Sequence, residues 1–229
     1  MPAMFTGITN CTEWYSRRMG DVGRTAPSGA RADGKRKAIV AAALRAFLDE
    51  GFDVSMDRIA SAAGVSKVTV YNHFESKENL FRAVVSGQLH EALSVVEQIV
   101  ESRLGDSDDV RAELIKACRA WVAALTLSDM MALRTLVVAE AKRFPELGET
   151  WLESGPTRLH AVFATALTRL GQRGVLDIPD VELAVLQLSG LVLSPNLVYG
   201  AYGQTPGKKL ADRLIVAGVD MFLAYYGAD

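Results

Sequence analysis

The chain has 229 residues, enough for one sizeable domain or a small head on a larger body, and its 49% hydrophobic and 23% charged content is that of a well-packed soluble protein. Its net charge of −2 hides an asymmetry: residues 1–82 carry 12 Lys/Arg against 9 Asp/Glu, whereas residues 83–229 carry 13 against 18. A basic head on an acidic body points to nucleic-acid contact at one end only, although an excess this small would not by itself indicate DNA.

Residues 1–33 hold Gly, Ser, Pro and Thr with scattered charge and no periodicity, which predicts a disordered arm. It lacks the continuous apolar stretch of a signal peptide. Its arginines Arg17, Arg18, Arg24 and Arg31 run into Lys35-Arg36-Lys37. Such an arm is either a flexible leader, with Met19 as an alternative start, or a segment that follows phosphates or enters the minor groove. The first helix is predicted from about Lys35 to Glu50. Ile39, Val40, Ala43, Leu44, Phe47 and Leu48 form its apolar stripe, and Gly51 ends it.

Residues 55–77, SMDRIASAAGVSKVTVYNHFESK, carry the punctuation of a helix-turn-helix. Ser55 can cap a short helix whose apolar positions Met56, Ile59, Ala60 and Ala63 fall at i, i+3, i+4 and i+7. Gly64 supplies the tight turn, because it accepts a positive φ without steric cost. Val65 and Ser66 then stand as N′ and N-cap of a second helix, with Val65 and Val70 spaced as a hydrophobic staple. Val70 and Phe74 share the inward face. At 100° per residue, Val68, Thr69 and Asn72 point away from that face, with Lys67, Tyr71 and His73 on its flanks. An outward face without acid suits a groove lined with phosphates. The alternative is an ordinary helical hairpin, which would not require cap, turn, staple and polar face to agree at once.

Ser76 caps a long fourth helix that is expected to run to about Arg103, and Gly105 to Asp109 form a break. The head is bounded at 34–82 and the body at 83–229. The body is predicted helical throughout, near 108–126, 128–143, 146–153, 156–172, 180–200 and 207–226. Pro145 ends one helix and Pro156 opens another at N1. No run reaches the ~18 apolar residues of a spanning helix. Cys11 and Cys118 are spaced as lone thiols, as in reduced cytosol, so a cytoplasmic location without membrane contact is expected.

Catalytic chemistry finds no support. His73, His90 and His160 have no partner at metal-ligand spacing, and there is no nucleophile elbow, P-loop or dinucleotide fingerprint. No enzyme activity, metal or cofactor is expected. Trp121, Met130, Met131, Phe144 and Trp151 are large or flexible apolar residues spread over several body helices, either plain core or the lining of a small-molecule pocket. The last helix is apolar nearly all round, with Leu210, Leu214, Ile215, Val219, Met221, Phe222 and Tyr225, so it requires burial on two sides. Pairing it and the helix from Pro156 with their copies would give a four-helix dimer interface.

Residues 35–82 resemble the TetR family of bacterial transcription regulators. The resemblance is carried by Phe47 to Phe52 (FLDEGF), Ile59-Ala60, Ala63-Gly64-Val65-Ser66, Thr69, Val70, Tyr71, His73, Phe74, Ser76-Lys77-Glu78 and Leu80. Asn72 departs from the family's frequent aromatic or His at that place. Arg134 to Arg158 is similar to the C-terminal domain of AefR-like members. The resemblance implies an all-α homodimer with a three-helix DNA-binding head and a larger ligand-binding body. It further implies double-stranded operator DNA and a small-molecule effector as partners. The residues expected at DNA are Ser55, Ser66, Lys67, Val68, Thr69, Tyr71, Asn72, His73 and Lys77. Lys77, at N1 of the fourth helix, is expected at a phosphate. The expected function is a repressor released by an apolar or amphipathic molecule. The alternatives are a ligand-dependent activator or corepressor-type regulator, or a helical ligand-binding scaffold with incidental DNA affinity.

Overall fold

In the computed structural model, which describes residues 29–228, ten α-helices follow one another with no strand among the described residues. They are α1 Ala30–Glu50, α2 Met56–Ala62, α3 Lys67–Phe74, α4 Lys77–Arg103, α5 Val110–Leu125, α6 Ser128–Glu140, α7 Pro145–Leu152, α8 Arg158–Gln172, α9 Val181–Gly200 and α10 Lys208–Tyr226. Apart from its last few residues, the arm expected over 1–33 lies outside the described residues. Those last residues are helical, because α1 starts at Ala30 rather than Lys35. Gly29 O accepts from the N–H groups of Ala32 and Asp33, and Asp33 sits in the first turn, where a carboxylate favours the positive helix end.

The head packs α1 across α2 and α4, with Ile39, Ala43, Phe47, Ile59, Val70 and Phe74 inside. Helix α4 leaves the head and runs on through the body, burying Leu80, Phe81, Val84, Val85 and Leu89, then Leu93, Val96 and Val100. Head and body therefore share one continuous apolar core. Its junction is aromatic: Phe81 meets Phe47 edge-on at 4.9 Å and Phe52 at 5.3 Å, and Phe52 meets Phe144 at 5.0 Å.

The expected break before Pro156 is absent. Glu153–Thr157 form a π-helical turn that joins α7 to α8 without a loop. A π turn accommodates the missing proline N–H that would otherwise break an α-helix. Gly155 in that turn is buried against Leu89 of α4, and a Cβ there would lie 3.2 Å from Leu89 Cδ2. Along this contact Arg82 Nε donates to Thr150 Oγ1 at 3.0 Å and the hydroxyls of Ser86 and Ser154 meet at 2.9 Å. The C-terminus is held by Asp177 N donating to Tyr226 O and Ala228 N donating to Val175 O.

Among the described residues, α9 alone is long and apolar enough to cross a membrane, with a mean hydropathy of 1.5. It packs on α5, α8 and α10, burying Ala184, Val185, Leu188, Val192 and Leu193, while Leu183, Leu186, Val198 and Tyr199 form an exposed apolar face.

Candidate nucleic-acid interface and effector region

Three serines set the ends of the head's helices. Ser55 Oγ accepts from Arg58 N at 3.2 Å, Ser66 Oγ from Thr69 N at 3.1 Å and Ser76 Oγ from Asn79 N at 3.0 Å. Each satisfies a donor that has no partner within its own helix. Gly64, at φ 66°, turns the chain between α2 and α3, and Val65 N donates back to Ala60 O at 3.0 Å. The loop is thereby closed on both sides, and α3 has a fixed attitude on the head.

With Val70 and Phe74 inside, the opposite side of α3 is free. Val68 is 67% exposed, Tyr71 41%, and Asn72 is exposed beside them. An apolar side chain two-thirds in water contributes little to this fold. Thr69 is half-buried, its hydroxyl 2.8 Å from Ser66 Oγ. Ser55 and Ser66 are themselves exposed.

The remaining site residues are engaged by the protein itself. Lys67 Nζ donates to Asp57 Oδ2 at 2.7 Å, and that bond holds its ammonium above the usual lysine range. Lys77, at the first turn of α4, lies over the Phe52 ring at 4.7 Å. His73 is half-buried, and burial, then Arg36 and Lys35, hold its imidazole below the usual range. It is therefore a neutral donor and acceptor near pH 7. Arg36 lies over the Phe74 ring at 5.2 Å, which ties α1 to the end of α3. Glu75 turns the chain from α3 to α4 at φ 63°, with Ser76 N donating to Phe74 O at 2.6 Å. A non-glycine residue held there stores about 1–3 kcal/mol of strain. Nothing in the residue pattern announced it.

The structure divides the expected effector residues among separate neighbourhoods. Trp121 is buried on α5, stacked on Phe163 of α8 at 5.0 Å with His160 edge-on at 6.0 Å. Burial holds the His160 imidazole below its usual range. Met130 and Met131 are buried on α6, and Met131 closes on Gly200, where a Cβ would come 2.6 Å from its Cε. Trp151 is half-buried on α7. Phe144 belongs instead to the head–body junction, against Phe52. Beyond Gly200 an open groove of about 460 Å³ is lined by Pro195, Tyr199, Gln204, Pro206, Leu210 and Leu214. Of these the sequence singled out only Leu210 and Leu214, as dimer residues.

Exposed apolar side chains gather on α9 and α10: Leu183, Leu186, Val198 and Tyr199 with Leu210, Met221 and Tyr225, the last 77% exposed. Helix α8 has the two stripes expected of it. It buries Leu159, Phe163, Ala166, Leu167 and Leu170 in its own body and turns Ala161, Thr165 and Thr168 outward. Phe222 likewise faces inward, 2% exposed and 4.9 Å from the Tyr226 ring.

Residues 39–84 match the family model of bacterial regulatory proteins of the tetR family, and residues 112–228 match the C-terminal domain of AefR-like transcriptional repressors. A solved protein from Mesorhizobium loti, described as a TetR-family transcriptional regulator, is 33% identical, with 87% of this chain and 100% of that chain covered at a TM-score of 0.82. The solved flavonoid-responsive regulator FrrA is 27% identical, with 85% and 98% covered at a TM-score of 0.70. The HTH-type transcriptional repressor Rv1474c of Mycobacterium tuberculosis is 28% identical over 181 residues, 77% of this chain and 88% of that protein. Three further HTH-type regulators, one of them an activator, match over 64 to 81 residues, so that the chain spans 30% to 48% of their length.

Proposed function

The chain belongs to the TetR family of bacterial transcription regulators, and from that premise we propose that it is a cytoplasmic, homodimeric repressor whose hold on its operator is released by an apolar or amphipathic small molecule. The observation that carries the DNA-binding part is the free face of α3. Val68, Tyr71 and Asn72 stand outward on a helix whose ends and inner face are fixed by protein contacts. Val68 meets a thymine methyl in the major groove, and Asn72 a neighbouring base edge. Ser55, Ser66, Thr69, Tyr71, His73 and Lys77 position the head on phosphates, and Lys67 supports them from its pair with Asp57.

Two heads are joined through the apolar faces of α9 and α10, and half-site spacing follows from that pairing. The effector enters the body near Trp121, Met130, Met131 and Trp151, large or flexible apolar residues of the kind that line small-molecule pockets. It acts by population shift. A ligand that prefers the body with splayed heads draws the dimer out of half-site register along α4. The names of relatives support this reading: one solved relative responds to flavonoids, and the body matches a repressor domain. One curated relative is an activator, which favours a second reading in which ligand tightens binding. Titrating labelled promoter DNA with an aromatic and lipid-like panel, while following tryptophan emission, separates the two. Release on quenching supports the repressor, tightening supports the activator, and quenching without any DNA response removes both.

A further inference from the structure

In the head, the cations nearest the reading helix are largely neutralised. Lys67 is paired with Asp57 and Arg58 with Glu50 at 3.0 Å, whereas Lys77, at the start of α4 over the Phe52 ring, keeps its charge. Helix α3 therefore brings little net positive charge to a duplex whose phosphates must be neutralised. The rest of the uncommitted charge sits elsewhere. No residue from 30 to 38 of α1 is buried, and the first buried position is Ile39. These turns carry Arg31, Lys35, Arg36 and Lys37 against one acid, Asp33. Among the described residues no ion pair involves Arg31, Lys35 or Lys37.

The extension lies beside the reading helix. Arg36 covers the Phe74 ring at the end of α3, and Lys35 and Arg36 both act electrostatically on His73. Arg31 and Lys35 are one turn apart, so they form a row on one flank of α1. Lys37 is rotated about 200° from Lys35 and lies on the other flank. Little apolar contact holds these turns, and Gly34 weakens them as a helix, so packing gives no reason for the segment. Its charge and position do.

We propose that residues 30–38 of α1 form a second DNA-contacting element, in which Arg31 and Lys35 bind phosphates beside the base pairs faced by α3. This rests on the operator-binding reading above. Because phosphate contacts carry no sequence information, the element raises affinity for every duplex and leaves discrimination to α3. Lys37 serves as an internal control of equal charge on the wrong flank.

The test uses the full chain and a labelled 40-base-pair duplex of mixed sequence, titrated over a salt series. Lys35→Ala should lower the slope of log affinity against log salt by about 0.9 for each head engaged, and Arg31→Ala with Lys35→Ala by about 1.8. Between 50 and 200 mM salt, wild type should then lose roughly tenfold more affinity per head than the double variant. Lys37→Ala should leave the slope nearly unchanged. Alanine favours helix, so the variants keep α1 intact, which circular dichroism checks. An unchanged slope in the double variant overturns the proposal, as does a Lys37→Ala effect equal to that of Lys35→Ala, which would mean net charge rather than a row. Wild-type protein that binds no duplex at any salt overturns the operator-binding reading itself, a result distinct from either.

Discussion

Phe144 is the sharpest place to perturb the junction between head and body. Its half-buried ring meets Phe52, a head residue 3% exposed, at 5.0 Å, and Arg143 lies over its outer face at 4.8 Å. Fully burying a phenylalanine contributes about 1.5–3 kcal/mol, so half burial gives about 1 kcal/mol. The ring pair adds about 0.5–1.5 kcal/mol beyond area. Phe144→Ala should therefore cost about 2 kcal/mol, a fall in Tm of roughly 4–8 °C for a protein this size. Phe52→Leu keeps bulk but removes the ring. A double-mutant cycle by urea unfolding should return about 1 kcal/mol of coupling between the two positions. Operator affinity without effector should be nearly kept, while the effector's power to release DNA should fall, because the contact couples head to body. A Phe144→Ala cost below about 0.5 kcal/mol with no coupling would refute this reasoning. An unchanged stability with a lost effector affinity would instead return Phe144 to the ligand.

Three further outcomes follow. Val68→Ser should lose on the order of 1 kcal/mol at one base pair and leave mixed-sequence binding unchanged; a loss spread evenly over an operator library would end its reading role. Tyr225→Asp, on the exposed face of α10, should give folded monomers by light scattering, whereas Phe222→Asp, inside the body, should unfold the chain; a Tyr225→Asp dimer would place the interface elsewhere. His73 and His160 both have folded pKa values below the unfolded one, so the unfolded chain binds more protons between the two values. Their contribution to stability is present above about pH 6.5 and is lost as pH falls below it, less so in His160→Gln. A fall in urea midpoint from pH 7.5 to 5.5 that is no smaller in His160→Gln than in wild type would contradict that sign for His160.

The parts of this molecule legible in the sequence are those set by local rules. Ser55, Ser66 and Ser76 announce helix starts because a cap acts within three residues, and Gly64 announces its turn through φ alone. Val70 and Phe74 give the inward face of α3 by spacing. What the sequence hid depends on partners far along the chain. Pro156 looks like a helix start until Leu89 of α4 packs on Gly155 and a π turn takes up the missing bond. Lys67 looks free until Asp57, ten residues back, comes within 2.7 Å. Helix α10 carries apolar residues around most of its circumference, with Asp212 and Asp220 paired to Arg119 and Arg111 of α5, yet which apolar side faces its own body is a tertiary matter, and Phe222 and Tyr225 cannot be sorted by hydrophobicity. The effector residues suffer most, since Phe144 and Trp121 have the same apolar character and belong to different neighbourhoods.

The most direct measurement is selection of duplexes from a fully randomised library by the full-length chain, followed by sequencing of the retained pool. The recovered sites should hold two related half-sites in pseudo-palindromic order, centred about one helical turn or a multiple of it apart. Adding Val68→Ser should relax one base pair in each half-site. A retained pool indistinguishable from the input, under salt conditions where the protein binds DNA, would contradict sequence-specific regulation by this chain.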